Sequence, residues 1–418
     1  MKVCGIIAEY NPFHSGHAYQ IAAARRASGC DYVIAVMSGD FVQRGAPALA
    51  DKYSRAGQAL FEGADLVLML PVYASTASAE GFARAGIGAL MTANIVDSVS
   101  FGCEDLSVCS SHYRSLAQKL AWEGASFQQA LLARLSRGKS YASARSDVIQ
   151  SFDEGSIDMA LLRKPNNLLA FEYLRAMERC DCGMDIYPVK RLGNYHSTSV
   201  SEASPEFASA SACRRALLSD SPGELAMLEN AMQIPPDACR LLADYANSYR
   251  YLSENDFSQM LHYRLMLHKA EGYRQFYDCG NDLSARIAAK LPSYEGFSQF
   301  CDVLKNKSVT RTRIARVLTH ILLGLPARMP APLLQDHRLP YLRVLGFKAS
   351  AAPLLHELKR RAAAPLITRP AQAKRLLDAD ACAYFAQDLF AADVYRSALL
   401  HKCGSCYESD YRRKIQII

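Results

Sequence analysis

No apolar run in the sequence is long enough to span a membrane, and the first apolar stretch is cut short by Glu9, too early for the core of a secretory signal. Export and membrane insertion are disfavoured, and the expected location is cytoplasmic. Both common glycine-rich nucleotide loops are missing as well. Arg137-Gly138-Lys139-Ser140 comes nearest to a P-loop, but Ala133 stands where that loop needs its first glycine, and no strand precedes it. Nor does a G-x-G-x-x-G follow an apolar strand, which disfavours a nicotinamide-type site. Cys403-Gly-Ser-Cys406, near His401, is half of a zinc pattern with no second C-x-x-C pair to complete it, so no metal site is expected. The thirteen cysteines follow no framework and read as reduced, mostly buried thiols.

What remains is ordinary globular composition. The 418 residues, 50% apolar and 21% charged, suffice for two or three domains and give no argument for disorder. Charge, however, is segregated. Residues 1–300 carry 28 Lys/Arg against 32 Asp/Glu, whereas residues 301–418 carry 20 against 9. The densest basic elements are Lys305, Lys307, Arg311, Arg313 and Arg316, running into an apolar helix, and then Lys359, Arg360 and Arg361. A charge run on a helix is ordinarily a solvated face. The local excess of positive charge instead points to a polyanion partner, with nucleic acid first among candidates.

Apolar runs at Lys2–Ala8, Asp31–Met37, Asp65–Leu70 and Ser98–Phe101, with Asp185–Lys190 further on, read as strands. Helical segments separate them, one running from Lys52 behind an Asp51 cap. That alternation implies β-α-β units and a doubly wound parallel sheet, an α/β fold in which ligands bind beyond the carboxyl ends of the strands. Past about Ser221 the strand signal disappears. The expected organisation is a catalytic domain over residues 1–220 and a mostly helical, basic domain over residues 221–418.

The chemistry concentrates in GIIAEYNPFHSGHAYQIAAAR, from Gly5 to Arg25. Asn11-Pro12 breaks the first strand, Gly16 allows close backbone approach, and helical spacing resumes beyond it, so His14 precedes a helix and His17 sits in its first turn. Helix starts attract anions through free N–H groups and the dipole, and two imidazoles there add donors for the same oxygens. Taken singly, His14 would be a cap and His17 a packing residue. Together, behind a strand, they favour the phosphates of a nucleoside triphosphate, with Arg191 and Arg214 suited to assist.

With these residues in view, a family resemblance appears. The stretches GIIAEYNPFHSGHAYQI, VMSGDFVQRGAPALADKYSRA, FGCE at Phe101–Glu104, KPNNLLAFEYLRA, KRLGNYH, SASACR, KNKSVTRTRIARVLTHILLGL and PYLRVLGF resemble, in order, the blocks of the tRNA(Met) cytidine acetate ligase family, a nucleotidyltransferase family with an H-x-G-H motif. The resemblance implies that ATP, accompanied by Mg2+, activates acetate as acetyl-adenylate, and that the acetyl group passes to N4 of the wobble cytidine of elongator tRNA(Met). It places ATP on Ile7, Ala8, Glu9, Tyr10, Asn11, Pro12, Phe13, His14, Gly16, His17 and Gln20, on Gly102, on Asn166 or Asn167, and on Arg191 and Leu192. His14 and His17 would act on the phosphates. Ser15, Gln20, Asp40 and Cys103 depart from the family's residues, and Asp40 is expected to pair with Arg44 or Lys52. An adenylyltransferase making a nucleotide cofactor and a non-catalytic RNA-binding protein are the alternatives.

Overall fold

The computed structural model describes residues 1–121, 124–137, 141–152, 157–191, 208–219 and 224–418. Five parallel strands form its centre: β1 (Val3–Ala8), β2 (Tyr32–Ser38), β3 (Leu66–Leu70), β4 (Ser98–Cys103) and β5 (Asp185–Lys190). They lie side by side in the order β3-β2-β1-β4-β5. The inner strands are almost wholly apolar because helices cover both faces of the sheet. Helices α1 (Ser15–Ser28) and α2 (Lys52–Phe61) pack on one face, and α3 (Ala79–Ala93) and α4 (Pro165–Arg179) on the other. The approach of α3 is close: a Cβ on Gly5, in β1, would stand 2.5 Å from the Leu90 side chain. Since the chain winds outward from β1 to β3 and then returns to place β4 on the other side of β1, the order reverses between β1 and β4. A crevice opens where these two strands end.

Beyond residue 224 the chain is mostly helical, as expected, but it also supplies strands, which the sequence reading did not anticipate. β6 (Leu342–Phe347) joins the sheet antiparallel to β3, and β7 (Leu366–Ile367) and β8 (Gln416–Ile417) pair with β6. β6 is a short apolar run behind Pro340, but its partner lies far away in sequence: Phe347 pairs with Leu66. The boundary expected at residues 220 and 221 falls outside the described residues in part, since 220–223 are not described. The later helices include α5 (Ala210–Leu217), α6 (Arg311–Leu323), α7 (Ala352–Arg361) and α8 (Ala379–Cys403).

Buried charges tie the late chain to the first strands. Lys52 Nζ lies 2.6 Å from Asp40 Oδ2 and 3.0 Å from Asp410 Oδ2, and Arg343 in β6 donates to the same Asp410 oxygen at 2.7 Å. Burial disfavours the Lys52 charge, but Asp40 and Asp410 outweigh it and raise the pKa. Asp40 thus pairs with Lys52, one of the two partners expected for it. Arg55 is fully buried and gathers carbonyls: its guanidinium donates to Ala50 O at 3.0 Å, Glu9 O at 2.6 Å and Ser38 O at 3.2 Å, and also to Gly39 O. Replacing Lys52 by Met should cost about 3–5 kcal/mol, because Asp40 and Asp410 stay buried with one cation fewer. A urea titration measures it, as a lower midpoint with an unchanged slope.

Candidate functional site

A cavity of about 650 Å³ occupies the crevice beyond β1 and β4. Its lining includes the start of α1 at Gly16 and His17, of α3 at Ala79, of α4 at Pro165 and Asn166, of α5 at Ala210 and Ser211, and of α6 at Thr312. All five helices therefore direct the positive ends of their dipoles at one volume. Around the same volume stand Arg44, Arg163, Lys190 and Arg191. Such a field suits a polyanion.

The histidine turn is more constrained than the sequence suggests. His14 is the N-cap of α1, and its Nδ1 accepts from Gly16 N at 3.1 Å, while His14 N donates to His17 Nδ1 at 3.2 Å. The first amides of the helix are spent: Ser15 N donates to Gln233 O, and His17 N and Ala18 N both donate to His14 O. The expectation of free backbone N–H groups at this helix start is corrected accordingly. The rings remain. They stack at 3.8 Å between centroids, with the Tyr10 ring edge-on to His17 at 4.9 Å and Phe13 at 5.4 Å behind it. Burial lowers both imidazole pKa values, with the charges of His17, Arg191 and Arg214 adding to the effect on His14 and that of Arg191 adding to it on His17, which falls to about 3. Both rings are neutral at neutral pH. A neutral imidazole whose Nδ1 accepts must carry its proton on Nε2, so each ring offers one Nε2–H donor.

At the end of β4 a second device shapes the site. Glu104 accepts from Asn166 N at 3.2 Å, Asn166 Nδ2 at 2.7 Å and Asn167 N at 2.8 Å, so a carboxylate of the protein fills the start of α4. Asn167 answers through Oδ1, which accepts from Glu104 N at 2.8 Å and Asp105 N at 3.1 Å. Two adjacent asparagines are explained by this exchange. Asn166 lines the cavity, whereas Asn167 is fully buried and does not. A Cβ at Gly102 would meet nothing within 4 Å, so glycine keeps that stretch of wall low.

Of the residues singled out in the sequence, Ile7, Ala8, Glu9, His14, Gly16, His17, Gln20, Gly102, Asn166 and Arg191 line the one cavity. Tyr10, Asn11, Pro12 and Phe13 stand behind the histidines rather than in the wall. Asn11 Oδ1 holds Leu49 N at 2.8 Å, and its carbonyl takes the Arg214 guanidinium at 2.6 Å, which makes Arg214 a brace for the turn. Leu192, together with the rest of KRLGNYH after Arg191, and Gly138–Ser140 lie outside the described residues. Sequence reasoning missed Gln43, Arg163, Tyr173, Lys190, Thr310 and Thr312 in the lining. Lys190 was legible as the neighbour of Arg191; the threonines come from a distant segment that no motif connects to the site.

The basic candidates divide. Lys305 and Lys307 are exposed, a few residues before Thr310 and Thr312 at the cavity. Arg311 pairs with Asp302 at 3.1 Å and Glu254 at 3.6 Å, and Arg313 with Asp278 at 3.1 Å. Arg316 is buried against Asp278, and Gly45 abuts its backbone so closely that a Cβ there would stand 2.2 Å from Arg316 N. Arg316 is therefore structural, a correction to its reading as a nucleic-acid contact. Lys359, Arg360 and Arg361 are exposed at the end of α7, where Asn94 Nδ2 donates to Arg361 O at 3.0 Å. Since Asn94 caps the far end of the 15-residue α3, this cluster lies about 20 Å along that helix from the cavity.

Among the described residues, no group of three His, Cys, Asp or Glu side chains could hold a metal, and no helix is long and apolar enough to cross a membrane. The family described as HIGH Nucleotidyl Transferase matches residues 1–410. A tRNA(Met) cytidine acetate ligase of Thermoanaerobacter sp. (strain X514) is 33% identical over 401 residues, 95% of this chain and 96% of its own. One of Clostridium kluyveri is 34% identical over 392 residues, 91% of this chain and 93% of its own. The crystal structure of apo Thermotoga maritima TmcAL superposes with a TM-score of 0.88 at 25% identity over the whole of both chains, and the same protein bound with alpha-thio ATP with 0.86. By these matches, the chain belongs to the HIGH nucleotidyl transferase family and, within it, to the tRNA(Met) cytidine acetate ligases.

Proposed function

We propose that this chain uses ATP to activate acetate as acetyl-adenylate and transfers the acetyl group to N4 of the wobble cytidine of elongator tRNA(Met), in the cytoplasm. The observation that carries the reading is the pair of neutral histidines at the mouth of α1, each with one Nε2–H, in a cavity ringed by helix starts and basic side chains. Acetate attacks the α-phosphorus and pyrophosphate leaves. The charge developing on the phosphoryl oxygens needs fixed donors more than a covalent nucleophile, and neutral rings supply them without surrendering a proton. His14 and His17 serve that purpose, Arg191 and Arg44 add charge, and Gly102 leaves room for the nucleotide. Magnesium would arrive on the phosphates, which provide the hard oxygen ligands it prefers.

In the second step the cytidine amine attacks the acetyl carbonyl of the mixed anhydride, and AMP leaves. Thr310 and Thr312 bring the basic C-terminal segment to the same cavity, so an RNA held at Lys305 and Lys307 would lie beside the activated acyl group. Neutralising Lys305 and Lys307 together should weaken tRNA binding and flatten its salt dependence by about 0.7–0.9 per lost contact. Filter binding at several salt concentrations measures the slope.

Product analysis tests the chemistry. With ATP and acetate but no tRNA, the protein should release pyrophosphate and form acetyl-adenylate; with tRNA(Met) added, AMP and N4-acetylcytidine should appear. ADP and phosphate as products would overturn the reading. His14→Ala and His17→Ala should each raise the barrier to adenylate formation by about 2.7–4 kcal/mol.

A further inference from the structure

The cavity holds one feature that phosphate binding does not explain. Its charged lining is otherwise basic, yet Glu9 places a carboxylate among Arg44, Arg163, Lys190 and Arg191, and it is the one acidic residue in the described wall. A triphosphate gains nothing from a carboxylate beside it, because like charges repel. The position of Glu9 is nonetheless carefully built. It directly follows β1 and precedes Tyr10, whose φ of 48° turns the chain away. The Arg55 guanidinium holds its carbonyl, and Gln43 N donates to its Oε1 at 2.9 Å. No lysine or arginine pairs with that carboxylate among the described residues, and Arg55, which holds the Glu9 carbonyl, spends its donors on carbonyls.

Beside Glu9 the wall turns apolar and aromatic, formed by Ile7, Phe82, Phe101 and Tyr173. The Tyr173 hydroxyl is buried with no hydrogen-bond partner, burial and the Glu9 charge raise its pKa, and both residues line the same cavity. A flat ring with an exocyclic amine matches this corner: aromatic side chains stack on exposed bases, and a carboxylate accepts from cytosine N4.

We propose that Glu9 accepts a hydrogen bond from the N4 amine of the target cytidine and takes its proton during acyl transfer. The assignment rests on the tRNA acetylation reading above. As the N4 lone pair forms the bond to the acetyl carbon, the anhydride C–O bond breaks, AMP departs with that electron pair, and one N4 proton passes to the Glu9 carboxylate and then to solvent. Glu9 thereby belongs to the second half-reaction, and the histidines to the first.

Glu9→Gln separates the two, because glutamine keeps an oxygen for Gln43 N but loses the charge and the basicity. Acetyl-adenylate formation is followed by acetate-dependent exchange of pyrophosphate into ATP, and transfer by single-turnover acetylation of tRNA(Met) from preformed acetyl-adenylate. Transfer should slow about 100-fold or more relative to adenylate formation, the contribution of a positioned base. Equal losses in both steps would assign Glu9 to the nucleotide or its metal and overturn the proposal, as would unimpaired transfer or a variant that no longer melts cooperatively. A wild-type protein that forms no acetyl-adenylate would instead overturn the underlying reading, an outcome visible before the variant is tested.

Discussion

The site depends on where β1 stops, and one buried guanidinium fixes that end together with the end of β2. Arg55 reaches from α2 to the carbonyls of Glu9, beyond β1, and of Ser38 and Gly39, at the end of β2. Removing a fully buried guanidinium would strand these acceptors at a cost of about 1–3 kcal/mol apiece. With the strand ends held, the turn from Tyr10 to Phe13 can carry the histidines into the crevice and leave Glu9 at its edge. Asn11 extends the same bracing outward, to the loop at Leu49 and to Arg214 of α5. The late chain closes the arrangement through Asp410, which shares Lys52 with Asp40 and accepts from Arg343 of β6.

Charge is handled differently on the two sides of the cavity. Five helix starts adjoin it with caps already satisfied: His14 for α1, Ser78 for α3, Glu104 for α4, Ser209 for α5 and Thr310 for α6. The field of the dipoles remains while few backbone donors are left to compete for a ligand. Direct contact therefore falls to side chains, and the histidines are suited to it because burial and neighbouring cations keep them neutral. Their contribution to stability has a definite sign. With folded pKa values depressed below 6.5, the unfolded chain binds protons first, so the titration of these two residues leaves folding unaffected well above that pH and opposes it progressively as pH falls through it.

Sequence made some of this legible and hid the rest for physical reasons. The five parallel strands announce themselves as apolar runs of the right length, and β5 occupies the predicted Asp185–Lys190. The histidine spacing pointed to the turn that lines the cavity, and the Asp51 cap began α2 where expected. Hidden features involve partners far apart in sequence. Glu104 meets Asn166 and Asn167 across the site, β6 finds β3 from the other end of the chain, and Thr310 reaches the cavity from a segment read only for its charge. Arg316 misled because basic character alone does not separate a solvated arginine from one neutralised by Asp278.

The central claim is that phosphate is met by neutral imidazoles whose Nδ1 atoms are already occupied within the turn. Nitrogen NMR of the protein labelled at its histidine rings addresses it directly, with His14→Asn and His17→Asn variants providing the assignments. The account predicts that both rings are neutral Nε2–H tautomers at neutral pH, that neither titrates near the ordinary value of 6.5, and that ATP shifts the Nε2 resonances while leaving the Nδ1 resonances in place. An imidazolium at neutral pH, or an Nδ1–H tautomer for either ring, would contradict it.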